Sequence, residues 1–281
     1  MPPMQPAALS SVGPVVDGAA TLPLISLVVA LVAYFAAVRL VNRNHPAAPV
    51  PRYRVAFWLA GLAVIGVALI SPLDAAGEIR FSAHMVQHLL LVLAAPPLLA
   101  LGAPVTLLMR ATPSGVRRSI VVPVLHARIV RVVSSPWTAW IAFSGVMWAT
   151  HFTGLFNAAL EDQGVHVVEH LLYLASGALF WWPVIGADPT PGRLRPAGRM
   201  LYLAAQMPVN TAVGLAIYFA PTVLYAHYEA SAPAAFGDQQ VAGILMWGVG
   251  DTVLLGALVL AIAAWLRADE LRGRRLEGRA G

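Results

Sequence analysis

The chain has 281 residues, of which 59% are hydrophobic and only 11% are charged, whereas a soluble domain carries roughly 25% charged residues. The absence of cysteine excludes disulfides, thiolate metal sites and dithiol redox chemistry within this chain. The absence of lysine excludes a retinal protein, whatever the number of helices, because retinal is bound through a Schiff base to lysine. The net charge of +5 does not indicate nucleic acid binding, because all basic residues are arginines that follow a membrane topology.

Seven apolar segments approach the ~20 residues needed to cross the hydrocarbon core of a bilayer. We predict spans at about residues 22–40, 55–71, 83–108, 136–157, 164–186, 200–220 and 239–266. Pro96 and Pro97 predict a kink in the third span, because proline removes a backbone donor and clashes with the preceding turn. The arginine-containing stretch 110–135 predicts an interfacial helix.

The arginines predict the orientation of the chain in the membrane. Seventeen of the 18 fall after the first, third and fifth spans or in the tail after the seventh, and only Arg80 falls on the other side. Cytoplasmic loops are enriched in arginine and lysine. We therefore expect an all-α, polytopic protein with seven transmembrane helices, its N-terminus outside and its C-terminus cytoplasmic.

Three regions follow from this topology. Residues 1–21 are rich in Pro, Ala and Ser and lack the basic start of a signal peptide, so we predict a disordered tail. Residues 22–266 form the seven-helix membrane domain, and residues 267–281 form a basic cytoplasmic tail.

Five of the eight histidines fall near the predicted outer ends of three consecutive spans: His84, His88, His151, His166 and His170. Two pairs among them are spaced by four residues, so that each pair shares one face of a helix. Imidazole suits copper and zinc as a ligand, and ionisable groups inside a membrane usually face the bundle interior. The pattern predicts an outward-facing metal site with these five histidines as candidate ligands.

Two neighbouring residues extend this candidate site. Glu169 lies between His166 and His170, where its carboxylate can orient an imidazole or accept a proton. Met85 follows His84, and its thioether is a candidate soft ligand that favours Cu(I) over zinc.

Two acidic residues belong to the predicted seventh span. Asp238 lies at its outer start, as an alternative ligand, a support for the ligands, or a cap of this span. Asp251 lies deeper in the membrane, where we expect it to pair with a polar side chain of the sixth span, Gln206 or Asn210.

Several motifs make the chain resemble a known family. They are "SPLD" at 71–74, "HMVQHLLLVLAAPPLLALGAP" at 84–104, "HVVEH" at 166–170, "LFWWPVIG" at 179–186, "LY" at 201–202 and "DQQVAGILMW" at 238–247. Over roughly residues 25–265 the chain resembles the seven-span, CtaG-type assembly factors of caa-type cytochrome c oxidase. The single-span assembly factors of the same name carry cysteines, which this chain lacks.

The resemblance implies a protein of the bacterial plasma (inner) membrane that is not an enzyme and that helps copper reach the oxidase. Its partners would be a cytochrome c oxidase subunit, a copper donor protein and the lipid bilayer. Some members are fused to another copper-related membrane domain, and we expect this chain to be a stand-alone version. The combined hypothesis is a copper chaperone that accepts the ion at the outer histidines and passes it on.

Three alternatives stay open at this stage. Histidines on two or more helices can ligate haem axially, as in a membrane cytochrome. "HVVEH" matches a zinc-protease pattern, with Glu169 as the base of a membrane metallohydrolase. The chain can also be a metal-free structural partner of the oxidase.

Overall fold

The computed structural model describes residues 18–190, 192–231 and 234–280, and every regular element in these ranges is helical. In chain order the α-helices are α1 Gly18–Asn44, α2 Arg52–Ile70, α3 Pro72–Ile79, α4 Phe81–Leu89, α5 Ala95–Leu101, α6 Pro104–Ala111, α7 Ser114–Val116, α8 Val122–His126, α9 Arg128–Val133, α10 Pro136–Phe152, α11 Leu155–Glu161, α12 Gln163–Ile185, α13 Pro196–Tyr218, α14 Ala226–Ser231, α15 Ala235–Ile244 and α16 Gly250–Ala280. Three π-helical turns follow α4, α7 and α15: Leu90–Ala94, Arg117–Val121 and Leu245–Val249.

The two predicted tails differ in how much of them the structure describes. Residues 1–17 of the predicted disordered tail lie outside the described residues, and the last four positions of that tail belong to α1. The predicted basic tail continues α16 as a helix.

Six helical segments in the described ranges are long and apolar enough to cross a membrane: Thr21–Asn44, Arg52–Ile70, Phe81–Ala111, Gln163–Ile185, Pro196–Tyr218 and Ala235–Arg275. They correspond to six of the seven predicted spans. The predicted fourth span is α10, which has 17 residues and at ~1.5 Å per residue reaches about 26 Å, a little less than the ~30 Å of a hydrocarbon core. The structure ends this helix at Phe152, where we predicted a continuous span to residue 157.

Helix α12 packs against the third span, which begins with α4. Helix α12 packs against both α5 and α10, and α13 packs against α10, α15 and α16. Helices α1 and α2 cover one side, with α2 on α5 and α1 on α6. The short helices α3, α11 and α14 lie at the end of the bundle that contains the histidines of α4 and α12. We call this the histidine end.

The predicted proline kink takes the form of a π-helical turn with a side-chain partner. Pro96 has no amide hydrogen, so the carbonyl of Val92, four residues earlier, lacks its usual helical donor. The indole Nε1 of Trp181 on α12 donates to this carbonyl at 3.2 Å. The wider turn ends where the Ala95 amide donates to Leu90, five residues back. The freed carbonyl therefore joins the third span to α12 instead of being left unsatisfied.

The last span contains a comparable interruption. Its π-helical turn is held by Asn210 of α13, whose Nδ2 donates to the Met246 carbonyl at 3.0 Å. The same amide donates to Asp251 Oδ1 at 3.0 Å, and Thr211 Oγ1 donates to Asp251 Oδ2 at 2.5 Å. The predicted pairing of Asp251 with the sixth span is thus confirmed for Asn210, whereas Gln206 accepts a hydrogen bond from Ser144.

The crossing of α12 and the third span requires a glycine. A Cβ added at Gly177 would lie 2.7 Å from the Val92 carbonyl oxygen and 2.8 Å from Cγ of Pro96. We expect Gly177→Ala to reduce stability by about 1–3 kcal/mol, because backbone cannot yield as a flexible side chain does. Thermal unfolding in detergent measures this, with Gly145→Ala as the control, since nothing lies within 4 Å of a Cβ there. Equal melting temperatures of Gly177→Ala and Gly145→Ala would show that α12 and the third span can move apart without loss of stability.

Candidate metal centre

The helix that carries His84 and His88 is fixed from both sides. Asp238 of α15 accepts from the Ser82 amide at 3.0 Å and from the Ser82 hydroxyl at 2.5 Å, which caps the first turn of α4. From α3, Asp74 accepts from Gln87 Nε2 at 2.8 Å, and the same amide donates to the Ala68 carbonyl. Asp238 therefore supports the helix of the candidate ligands. It caps α4, whereas we considered a cap of its own helix.

The five predicted histidines meet on three helices at the histidine end. His84 and His88 of α4 share one face, and their Nε2 atoms are 2.9 Å apart. His166 and His170 of α12 have ring centroids 4.2 Å apart, and His166 stacks on His84 at 5.2 Å. His151 of α10 lies 6.0 Å from His88 between ring centroids. The five histidines, which we grouped by their predicted depth, are therefore neighbours that come from three helices.

The orientation of His84 follows from a short hydrogen-bond chain. The Tyr228 hydroxyl of α14 donates its proton to the Gly77 carbonyl at 2.8 Å and lies 3.1 Å from His84 Nδ1. Since a hydroxyl has one proton to donate, His84 Nδ1 must be the donor to Tyr228. The lone pair of His84 is then on Nε2, which faces the cluster, and His88 Nε2 donates to it in the metal-free state.

His151 is oriented in the same way by the main chain. Its Nδ1 lies 2.7 Å from the Met147 carbonyl, which can only accept, so Nδ1 carries the proton. The lone pair is on Nε2, which is buried and has no hydrogen-bond partner. A donor bond from the far nitrogen to a carbonyl is the usual support of a metal-ligating histidine.

Glu169 is the most unusual group of the site. Its side chain is 0% exposed, and neither carboxylate oxygen has a hydrogen-bond partner among the described residues. Oε2 lies 3.8 Å from His84 Nε2 and 3.7 Å from His88 Nε2, beyond hydrogen-bond distance. A buried carboxylate is costly unless it is paired or coordinates a cation.

The histidines of the same cluster also carry unpartnered nitrogen atoms. Within the described part of the chain, four imidazole nitrogens are buried without a partner: His88 Nδ1, His151 Nε2, His166 Nε2 and His170 Nε2. Buried polar atoms in proteins are almost always hydrogen-bonded, so each exception requires an explanation. A bound cation would explain the carboxylate together with the nitrogens of His166 and His170, which belong to the candidate ligand groups.

Two overlapping groups of side chains can hold such an ion. One is His84, His166 and His170, and the other is His84, His88 and Glu169; in each group the candidate ligand atoms lie within 4.8 Å of one another. Nitrogen and oxygen ligands lie ~2 Å from a transition-metal ion, so small side-chain rotations are needed to close either group. His84 belongs to both groups, and His151 to neither. Met85 is fully buried in the adjoining hydrophobic core.

Aromatic residues pack against the histidine rings, and we did not predict them from the sequence. Phe156 of α11 is buried 5.0 Å from the His84 ring and stacks on Tyr225 at 4.1 Å. Tyr173 lies 4.0 Å from the His88 ring. A signal for Tyr173 existed, because it follows Glu169 by four residues on the same face of α12. No spacing in the sequence identifies Tyr225, which precedes the short helix α14, or Tyr228, which lies within it.

Comparison with known proteins gives a family and three relatives. A model of the family described as cytochrome c oxidase caa3 assembly factor matches residues 32–268. Uncharacterized proteins of Mycobacterium bovis and Mycobacterium tuberculosis are each 30% identical over 255 residues, and one of Mycobacterium leprae is 28% identical over 256 residues. These matches cover 86–87% of this chain but only 38% of each relative, so the chain spans well under half their length. No solved structure matches the chain.

Proposed function

Because the chain belongs to the cytochrome c oxidase caa3 assembly factor family, we propose that it binds copper at the histidine end and delivers it to an oxidase subunit. The observation that carries the proposal is Glu169, a buried carboxylate without a hydrogen bond amid four unpartnered imidazole nitrogens. The ion is cargo, so binding has to be reversible. The protein acts as a chaperone and not as an enzyme.

The donor set favours copper, and Cu(I) above Cu(II) and zinc. The chain has no cysteine, so thiolate cannot contribute, and imidazole is a ligand that copper accepts well. A single positive charge on the ion is balanced by the single carboxylate of Glu169. Zinc would carry a second positive charge, and among the described residues no further buried carboxylate lies beside the histidines to balance it.

The overlap of the two ligand groups supports transfer rather than storage. An ion held by His84, His166 and His170 can move to His84, His88 and Glu169 without leaving His84. Each group offers three ligands, which leaves a position for the incoming donor or acceptor. His151, with its oriented and unpartnered Nε2, is available as a further ligand during the hand-over.

The experiment that tests delivery measures copper in the oxidase itself. In a bacterial host that makes the oxidase and lacks its own copy of this protein, we expect His88→Ala/His170→Ala to yield oxidase that retains haem but has lost most of its copper. His45→Ala is the control, because His45 is exposed and belongs to the loop between α1 and α2, away from the histidine end. Copper-replete oxidase with the double variant would favour the metal-free structural partner.

We further propose seven spans, with α10 as the fourth, in the bacterial plasma membrane. The N-terminus is outside, the C-terminus is cytoplasmic, and the site faces outward to meet a copper donor protein and the oxidase. The support is the distribution of the arginines and the position of α10 beside α12 and α13.

The absence of cysteine makes this topology directly testable. We expect a single cysteine at Asn157 to react with a membrane-impermeant maleimide in intact cells, and one at Ser119 to react only after the membrane is opened. Asn157 lies in α11, after α10 in the chain, and Ser119 lies in the π-helical turn after α7, before α10. Both positions are outside the long spans. The reverse pattern would invert the orientation, and labelling of both in intact cells would remove the fourth span.

The packing of the rings favours an ion over haem. Neighbouring histidine rings lie 4.2–6.3 Å apart between centroids, and His84 Nε2 and His88 Nε2 are within hydrogen-bond distance. A porphyrin between two axial ligands needs a wide, flat gap, and Phe156 and Tyr173 fill the space beside these rings.

A further inference from the structure

A cavity of about 340 Å³ leads to the histidine cluster from the surface of the histidine end. Its lining includes Glu78, His84, Glu161, His166 and His227. His84, 1% exposed, lies at its inner end, and Glu78 and Glu161 are exposed. The cavity thus connects two carboxylates at the surface with two histidines of the candidate ligand groups.

The walls of this cavity are held in place by contacts between the short helices. His227 Nε2 lies 2.8 Å from the Glu78 carbonyl, and the Tyr228 hydroxyl donates to Gly77. These two bonds tie α14 to the end of α3. On the opposite side, Asp162 caps α12 by accepting from the Val165 amide at 2.9 Å, which fixes the turn between Glu161 and His166.

His166 is placed to connect the mouth of the cavity with the buried cluster. It lines the cavity, its ring stacks on His84 at 5.2 Å, and its buried Nε2 has no hydrogen-bond partner. It is also a member of the group His84, His166 and His170. A cation that reaches His166 from outside is therefore already at one of the ligands of the buried site.

The charges at this end of the bundle favour a cation. Its described acidic residues in short helices and helix starts are Asp74, Glu78, Glu161, Asp162, Glu229 and Asp238, and the basic residue among them is Arg80. A cleft lined by charges of one sign raises the local concentration and the rate of arrival of the opposite ion.

We propose that this cavity is the entry route for the metal ion, with Glu78 and Glu161 attracting the ion at its mouth and His166 as the first ligand that the ion meets. The inference rests on the proposed function, because it requires a metal-binding cluster at the inner end. The two carboxylates attract the hydrated ion, and His166 takes over as its first imidazole ligand. The ion then passes to His84 with the loss of its remaining water.

The test separates the rate of loading from the final occupancy. The full chain in detergent is mixed with Ag(I), a monovalent probe for the Cu(I) site, and uptake is followed by stopped-flow tryptophan fluorescence and by silver analysis after washing. For Glu78→Gln/Glu161→Gln we expect loading about tenfold slower, with the same final silver content and a weaker dependence of the rate on salt. Glu270→Gln, an exposed substitution in α16, is the control and should load like the wild type.

The outcomes distinguish the entry route from the site it serves. Normal silver content with wild-type rate and salt dependence in the double variant would overturn the entry route and leave the proposed function intact. A wild-type chain that takes up no silver and no Cu(I) would overturn both. Slow loading in the double variant, with full silver content once equilibrium is reached and a wild-type rate in Glu270→Gln, supports the route.

Discussion

Replacing His84 and His88 together with alanine is expected to abolish stoichiometric copper binding. These residues supply two of the three ligands in one candidate group, and His84 also belongs to the other group. The loss of one imidazole leaves a set that can rearrange around His166 and His170. The loss of both removes the shared ligand and its neighbour, so we expect the retained copper to fall from about one ion per chain to background. Metal analysis after loading with Cu(I) and washing measures this.

The control for this experiment is His45→Ala/His126→Ala. It removes two histidines as well, but both belong to short segments on the arginine-rich side of the bundle. It should keep full copper content, and melting temperatures of both double variants verify that the fold has survived. Equal and negligible copper in the wild type and in both variants would refute the metal site, and the metal-free structural partner would then be the better hypothesis.

The sequence predicted the all-helical architecture and six of the candidate membrane spans because hydrophobic length is a local signal. Six predicted spans correspond to six apolar helices, and the pairing of Asp251 with Asn210 followed from the cost of a carboxylate inside a membrane. The end of α10 at Phe152 was missed, because the residues that follow are as apolar as the helix itself and the chain turns at Thr153 and Gly154 without a proline.

The grouping of the candidate histidines followed from the sequence, but their geometry did not. Spacing places His84 with His88 and His166 with His170, whereas nothing in the sequence states how far α4 lies from α12. That distance depends on Gly177, on the Val92 carbonyl freed by Pro96 and on the Trp181 indole, which act only once the helices are packed. The role of Asp238 also depends on a contact between distant segments, with Ser82.

Glu169→Gln is expected to change stability and metal binding in opposite directions. The metal-free protein buries a carboxylate without a hydrogen bond, and glutamine has nearly the same shape without the charge. Removing the charge should leave the metal-free protein as stable as the wild type or more stable, by up to about a few kcal/mol, because an unpaired buried charge is more costly than a neutral amide. Thermal unfolding of the metal-free protein in detergent measures this effect.

The same substitution should weaken copper binding by roughly 10–100-fold, because the positive charge of the ion loses its compensating carboxylate in a medium of low dielectric constant. Titration of the purified variant with Cu(I) against a competing chelator gives this ratio, and Glu270→Gln again serves as the exposed control. The stabilisation gained on adding copper should shrink accordingly, since it depends on the ratio of free ion to dissociation constant. A variant that is less stable without metal and binds copper normally would mean that the Glu169 carboxylate pairs with a protonated histidine and does not balance the charge of an ion. Loss of binding together with unchanged or higher metal-free stability is the pattern of a group retained for its ligand, because the fold alone gains nothing from that charge.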